Sequence, residues 1–481
     1  MKRPIFIRQL IATVIFLLIS ASVPVGAAIR LPDIIGPHMV LQQQSDALLW
    51  GWATPGARIT VSPGWLRKPL SVRTGPDGRW ELRVPTPAAS TKPYTIRFTG
   101  DGSRLAIDDV LIGEVWFCTG QSNMEMPLHG YLNQPVENAA EAIASASRYP
   151  MIRVAMVEKA AAETVQDIVA STWLPATPAN AYDFSALAYF FARELTDMLD
   201  VPVGIIDCSY QGTKIETWMS AERLAGYADI DLAKERTASI PDFWHRSNLM
   251  YNAMLHPLEG YTIRGFLWYQ GCSNLGQEQY AERQRDFVED LRKQWGDSTL
   301  PFLFVELAPY GYGDPDGDIA ARFRETQHHA AEIIPHSAIV CTSDLIYPYE
   351  VVDIHPTRKH EVAQRLAWLA GDMAYGIAGL PVEYPRFDEM TVEDDCAKLT
   401  FTGAPWGLTP HDDMQGFEVA GSDGVFYPAK AYIPFRALHV VLERPEGVDR
   451  IKSARYNFKN FAVGNVHNLI GLPLVPFRTD K

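Results

Sequence analysis

The sequence predicts an α/β protein: a parallel sheet covered on both faces, with β-rich regions added at both ends. Three observations carry this. From about 109 to 379, apolar strand-like runs alternate with amphipathic helical patterns. From 29 to 107, turn formers separate short strands that show no helical period. Beyond Pro381, strands and turns return. At 481 residues, 47% of them hydrophobic, the chain exceeds what one core usually organises. It divides into 1–27, 28–107, 108–379 and 380–481.

The first segment reads as an export signal. Lys2, Arg3 and Arg8 precede an apolar run from Leu10 to Ile19, and small residues end at Ala27-Ala28. The run is too short, and too soon broken by Ser20, Ser22 and Pro24, to anchor in a bilayer. The expected address is therefore secreted or periplasmic. The next segment carries runs at 47–52, 58–61, 80–84 and 94–98, separated at Thr54-Pro-Gly56 and Gly75-Pro-Asp-Gly78. That pattern suggests a small β-sandwich.

In the central segment the strand-like runs are 112–117, 203–208, 263–269, 302–305 and 338–341. Helical patterns occupy 185–199, 277–295, 319–333 and 357–374. The first of these places Leu187, Phe190, Phe191, Leu195 and Met198 on one face. In open parallel sheets ligands gather beyond the carboxyl ends of the strands, and the chemically loaded segments lie there.

Composition excludes some partners. Lys plus Arg is 43 against Asp plus Glu 57, a net charge of -14 that repels phosphate backbones and anionic membranes. Five scattered cysteines, an odd number, do not make a disulfide framework, and no CxxC or HExxH spacing offers a metal site. We expect no metal.

The chemistry starts at Gly120-Gln-Ser122-Asn-Met124, directly after the 112–117 run. A serine on such a turn can expose its hydroxyl at the sheet edge, although a helix N-cap is an equally ordinary role. As a nucleophile it needs a base. Asp353-Ile-His355-Pro356, before the 357 helix, supplies one: His355 can reach the same edge, and Asp353 can accept its other ring N–H. Asp344 and a backbone carbonyl are alternative orienters. Ser209-Tyr-Gln211-Gly212-Thr213 and Trp268-Tyr-Gln270-Gly-Cys272-Ser-Asn274 follow other strands. They offer oxyanion donors: the Gly212 N–H or its neighbour Gln211, the Ser122 N–H, and the Asn274 amide. Gln121, Gln270 and Trp218 stand beside these turns as candidate substrate-binding residues. Trp218, Trp244, Trp268 and Tyr269 can stack on sugar rings, or simply pack the core.

These motifs resemble those of SGNH hydrolases of the sialate O-acetylesterase type. The likeness runs from Pro37-His-Met-Val-Leu-Gln42 and Leu49-Trp-Gly-Trp52 through Gly113-Glu-Val-Trp-Phe-Cys-Thr-Gly-Gln-Ser-Asn-Met124. It continues through Pro202-Val-Gly204, Glu216-Thr-Trp-Met219, Tyr251-Asn-Ala-Met254, His256-Pro257 and Trp268-Tyr-Gln-Gly271. Asp353-Ile-His-Pro356, Gly471-Leu-Pro473 and Pro476-Phe-Arg-Thr-Asp480 complete it. The resemblance implies a three-layer, flavodoxin-like sheet with accessory β regions of sandwich or jelly-roll type. It implies deacetylation of O-acetylated sugars, whether sialic acid or a hemicellulose such as xylan or xyloglucan. Ser122 would be the nucleophile, His355 the base and Asn274 an oxyanion donor, without a cofactor.

The chain departs from the family pattern at three places. Gln211 precedes Gly212 where relatives have a second glycine, Cys272 stands for a glutamate, and Val352 lies where the wider group has its acid. These departures motivate a second reading, a non-catalytic carbohydrate-binding protein on the same fold. The survival of Ser122, Asn274 and His355 speaks for the enzyme.

Overall fold

The computed structural model describes residues 28–238 and 242–480, so the expected export signal lies outside the described residues. The first strands are β1 (Val40–Gln42), β2 (Asp46–Trp52), β3 (Arg58–Pro63), β4 (Leu70–Arg73), β5 (Arg79–Pro85) and β6 (Ser90–Gly100). There follow β7 (Ser103–Gly120), β8 (Ile152–Val157), β9 (Ser171–Pro175), β10 (Val203–Ser209), β11 (Gly265–Tyr269), β12 (Phe302–Val305) and β13 (Ser337–Val340). The central sheet runs β13-β12-β11-β7-β10-β8-β9, parallel throughout except for the antiparallel edge β9. The chain is thus mixed α/β, with a large, mostly parallel sheet and accessory sheets.

β7 organises the molecule. Its first half pairs antiparallel with β6, which pairs with β3, while its second half lies between β10 and β11. An 18-residue strand therefore runs straight through the expected division at 107/108. Exposure changes along it: of residues 103–109 only Ile107 is buried, whereas every residue from Val110 to Gly120 is buried. This is the continuous apolar texture that a doubly covered strand requires.

Five helices matter for the site: α1 (Ser122–Glu125), α2 (Ala186–Leu199), α3 (Tyr280–Trp295), α4 (Ile319–Ile333) and α5 (Lys359–Tyr375). Alternate residues of the strands face opposite ways. Trp116, Leu267 and Leu303 pack with Phe191 and Leu195 of α2 and Leu366 of α5. Phe117, Phe266, Trp268 and Phe302 pack with Phe287, Leu291 and Trp295 of α3 and Phe323 of α4. Truncating one such ring, Phe117 for instance, costs about 3–5 kcal/mol.

The helices start and stop for local reasons. Ser185 caps α2, its Oγ accepting the Ala188 N–H. α3 and α5 end at Gly296 and Gly376, both left-handed. α3 and α5 begin two or three residues later than their sequence patterns suggest, after the polar turns that the site uses.

The C-terminal strands build their own core from Leu399, Val419, Val440, Leu442, Ala454 and Tyr456. They dock on α4 and on the segment after β13. Asn460 Oδ1 accepts the Ala320 N–H, Arg478 pairs with Glu325 at 3.0 Å, and His467 lies 3.3 Å from Asp344. Among the described residues no helix is long and apolar enough to cross a membrane.

Candidate active site

Register puts three strand ends side by side. Ser209 of β10 and Tyr269 of β11 both pair with Gly120, the last residue of β7. Gly120 has φ +138°, and a Cβ there would lie 2.4 Å from the Tyr269 carbonyl oxygen, so only glycine fits. The chain then turns into α1 with Ser122 at its first position, where the amide has no intrahelical acceptor.

His355 meets that serine from the far side of the sequence, 233 positions away. Its Nε2 is 2.8 Å from the Ser122 Oγ. Its Nδ1 is 2.6 Å from the Oε1 of Gln134. An amide oxygen can only accept, so Nδ1 carries the ring proton and Nε2 is the acceptor for the serine hydroxyl. Gln134 is itself held by a tight turn, in which its backbone and that of Tyr131 exchange hydrogen bonds of 2.9 and 3.0 Å. The Tyr131 ring sets its edge against the imidazole at 5.0 Å between centroids. Burial, then the charge of nearby Lys359, lowers the His355 pKa to about 4. The ring is neutral at ordinary pH and free to take a proton.

The expected orienters are engaged elsewhere. Asp353 accepts the backbone N–H of His355 at 3.0 Å and so shapes the loop, while Gln134 takes the ring N–H. Asp344 forms a two-pronged ion pair with Arg365 at 2.8 and 2.6 Å. Burial pushes its carboxyl up, but Arg365 and His467 outweigh that and hold it at about 2.

The oxyanion candidates also sort. The N–H of Gln211 donates to Glu125 Oε2 at 2.6 Å and is already used. Gly212, at φ +71°, has no hydrogen bond on its own N–H among the described residues. The Asn274 amide is spent on bracing: Nδ2 donates to Glu216 and Gln277, at 2.9 and 2.8 Å. Its Oδ1 accepts from Ile215 N and Gln270 Nε2. Free donors at this edge are therefore the Ser122 and Gly212 N–H groups rather than Asn274 or Gln211.

The three candidate substrate contacts are bracing residues too. Gln270 is buried, donating to the Thr213 carbonyl and accepting the Tyr280 hydroxyl. Gln121 Oε1 accepts the Gly271 N–H at 2.9 Å, tying two strand-end turns together. Trp218 is fully buried and donates to Thr213 Oγ1 at 3.0 Å. Of the aromatic candidates Trp268 and Tyr269 are also core, and only Trp244 keeps partial exposure, its indole against Gly212. Cys272 rests its sulfur against the Tyr312 hydroxyl at 3.7 Å, and burial pushes its thiol up to about 11.

Two residues are joined to the site that sequence reasoning missed. Gln134 sits in a loop without any motif, and nothing in its spacing marks it. Lys359 had a signal: it opens the helix four residues after His355. It is fully buried, donates to Asn123 Oδ1, and burial lowers its pKa to about 7. Asn123 Nδ2 in turn donates to the Ile354 carbonyl at 2.9 Å, so the two loops that carry Ser122 and His355 are stitched together.

Among the described residues one trio, Glu306, His328 and Cys341, has metal-ligand chemistry. Its lone pairs are occupied. Glu306 accepts from His328 and the Thr342 N–H, and Arg386 lies 3.3 Å from the other nitrogen of His328. Buried Arg324 adds further positive charge beside it, which opposes a cation. A cavity of about 760 Å³ between α3, α4 and the C-terminal strands does not include the Ser122–His355 pair.

Comparison with known proteins identifies the family. The family described as carbohydrate esterase, sialic acid-specific acetylesterase, matches residues 112–370. The sialate O-acetylesterase of Homo sapiens is 30% identical over 413 residues, covering 77% of this chain and 75% of its own. That of Mus musculus is 28% identical over 459 residues, covering 81% and 82%. The crystal structure of a carbohydrate acetylesterase from Xanthomonas citri superposes with a TM-score of 0.83 at 34% identity, over 94% of this chain and 100% of that one. The matched segment starts in β7 and ends in α5, and so contains both halves of the Ser122–His355 pair. The chain is an esterase and belongs to the sialic acid-specific acetylesterase family of carbohydrate esterases.

Proposed function

We propose that this protein is an exported O-acetylesterase that removes acetyl groups from sugars through a covalent acetyl-enzyme. The observation that carries the reading is the 2.8 Å contact between Ser122 Oγ and a neutral, correctly tautomeric His355. As Oγ attacks the acetyl carbonyl carbon, its proton passes to Nε2. Negative charge gathering on the carbonyl oxygen is met by the N–H groups of Ser122 and Gly212. The imidazolium then gives its proton to the departing sugar oxygen as the ester C–O bond breaks. Water enters, His355 takes one of its protons, and the same steps in reverse release acetate. Gln134 keeps the ring aligned through each proton transfer.

The charged, apolar and small-residue order of the first 27 residues supports export. The family membership supports an acetylated sugar as substrate. The binding-only reading drew on the departures at Gln211, Cys272 and Val352, and a glutamine on Nδ1 meets the last of these. The test is hydrolysis of p-nitrophenyl acetate and of acetylated glycans by wild type and Ser122→Ala. We expect kcat to fall by roughly 10³-fold or more with folding unchanged. Undiminished turnover by the variant would exclude Ser122 as nucleophile.

A further inference from the structure

We propose that the cavity beside the Ser122–His355 pair, lined by Glu125, His129, Tyr131, Asp183, Asp207 and Ser209, is a subsite for an uncharged sugar ring, one that turns away sugars bearing a carboxylate. This rests on the esterase reading above and adds a substrate class to it.

The cavity, about 240 Å³, is not lined by Ser122 or His355 themselves but shares with them the residue Tyr131. Tyr131 forms part of its wall, while its hydroxyl donates to the Ser122 carbonyl at 3.2 Å and its ring packs on His355. Glu125 lies one helical turn after Ser122, and Ser209 stands beside Gly120 in the sheet. A ring held here would sit next to an acetyl group presented to Ser122. The volume is below that of a drug-sized pocket, which suits a single ring.

Its chemistry points to hydroxyl groups. Asp207 is only 9% exposed. One of its oxygens accepts the Ser209 hydroxyl at 2.6 Å, and the other has no hydrogen-bond partner among the described residues. That second oxygen is accessible and unpartnered, a ready acceptor for a sugar hydroxyl. Burial foremost raises the Asp207 pKa to about 7, so that the group can accept from or donate to a hydroxyl near neutrality. His129 of the wall, stacked on Tyr182 at 4.6 Å between centroids, adds an aromatic ring to the lining.

Charge decides the class. Glu125, Asp183 and Asp207 stand on the cavity wall, and no arginine does. Its one lysine, Lys159, is already paired with Glu125. His129 is 3.6 Å from Asp183, which leaves it no surplus positive charge to offer. A carboxylated sugar would bring a further negative charge among these acids without a free cation to meet it, a repulsive element of the kind that sets specificity.

The experiment compares kcat/KM of the full chain on three probes: p-nitrophenyl acetate, a mono-O-acetylated neutral methyl glycoside and O-acetylated sialic acid. Wild type should prefer the neutral sugar to the sialic acid by about tenfold or more. Asp183→Lys should narrow that preference about fivefold or more, and Asp207→Asn should lower the neutral-sugar value about tenfold relative to that for p-nitrophenyl acetate. Asp183 is largely exposed, so its variant keeps the test available should Asp207→Asn not fold. A neutral preference with a shift in either variant supports the subsite. Equal or better use of the sialic acid by wild type, or two variants with unmoved ratios, overturns it. Lack of wild-type activity on p-nitrophenyl acetate instead sinks the esterase reading, and the subsite with it.

Discussion

At the scale of single residues, the neutral partner on Nδ1 governs how His355 behaves. A carboxylate there would stabilise the imidazolium and raise its pKa, whereas the Gln134 amide supplies a dipole only. The folded value is about 4, so His355 is active when deprotonated: kcat/KM should climb as pH rises through about 4 and then level off. Gln134→Glu should move that acidic limb upward by about one pH unit or more, because a charged partner favours the protonated ring. An unmoved limb in a pH–rate profile would contradict the assignment of Nδ1 to Gln134. Ser122, His355 and Gly212 were readable because each sits in a turn that directly follows a strand or precedes a helix. Gln134 was not, because its contact is made by a loop folded back over the site. Asn274 was misread in role for a related reason: residue type suggests a donor, but only coordinates show that Glu216 and Gln277 already take both N–H groups.

At the scale of elements, the carboxyl ends of β10, β7 and β11 act as one platform. Gly120 has no room for a side chain against β11, and its φ is one that other residues rarely adopt. Gly120→Ala should therefore prise β7 from β11, lowering stability by about 2–4 kcal/mol and displacing Ser122 from His355. Thermal unfolding with an esterase assay would check both, and a variant with unchanged Tm and rate would refute the account. Alternation of apolar strands with amphipathic helices made these elements legible, and four helices fall within a few residues of their patterns. The length of β7 was not legible. Its early residues are mostly exposed while its later ones are all buried and mostly apolar, so one strand reads as two textures.

At the scale of the whole molecule, Asp344 is a clasp rather than part of the reaction. It joins Arg365 of α5 to His467 of the C-terminal region. Its carboxyl is depressed from 3.8 to about 2 in the folded state, so the stabilisation is complete above pH 4 and is lost as pH falls toward 2. That depression corresponds to about 2 kcal/mol. Urea unfolding at several pH values should show this loss in wild type. Asp344→Asn should lack it and be about 3 kcal/mol less stable at pH 7, since Arg365 is left buried without its partner. A variant as stable as wild type at pH 7 would argue against the clasp. The continuity of β7 has a practical sequel for anyone trimming the chain. Cutting away residues 28–102 in search of a minimal enzyme would strip β6 and β1 from a strand that ends two residues before Ser122. The bared main-chain groups would then invite pairing with other molecules, so such a fragment should aggregate before it can be assayed.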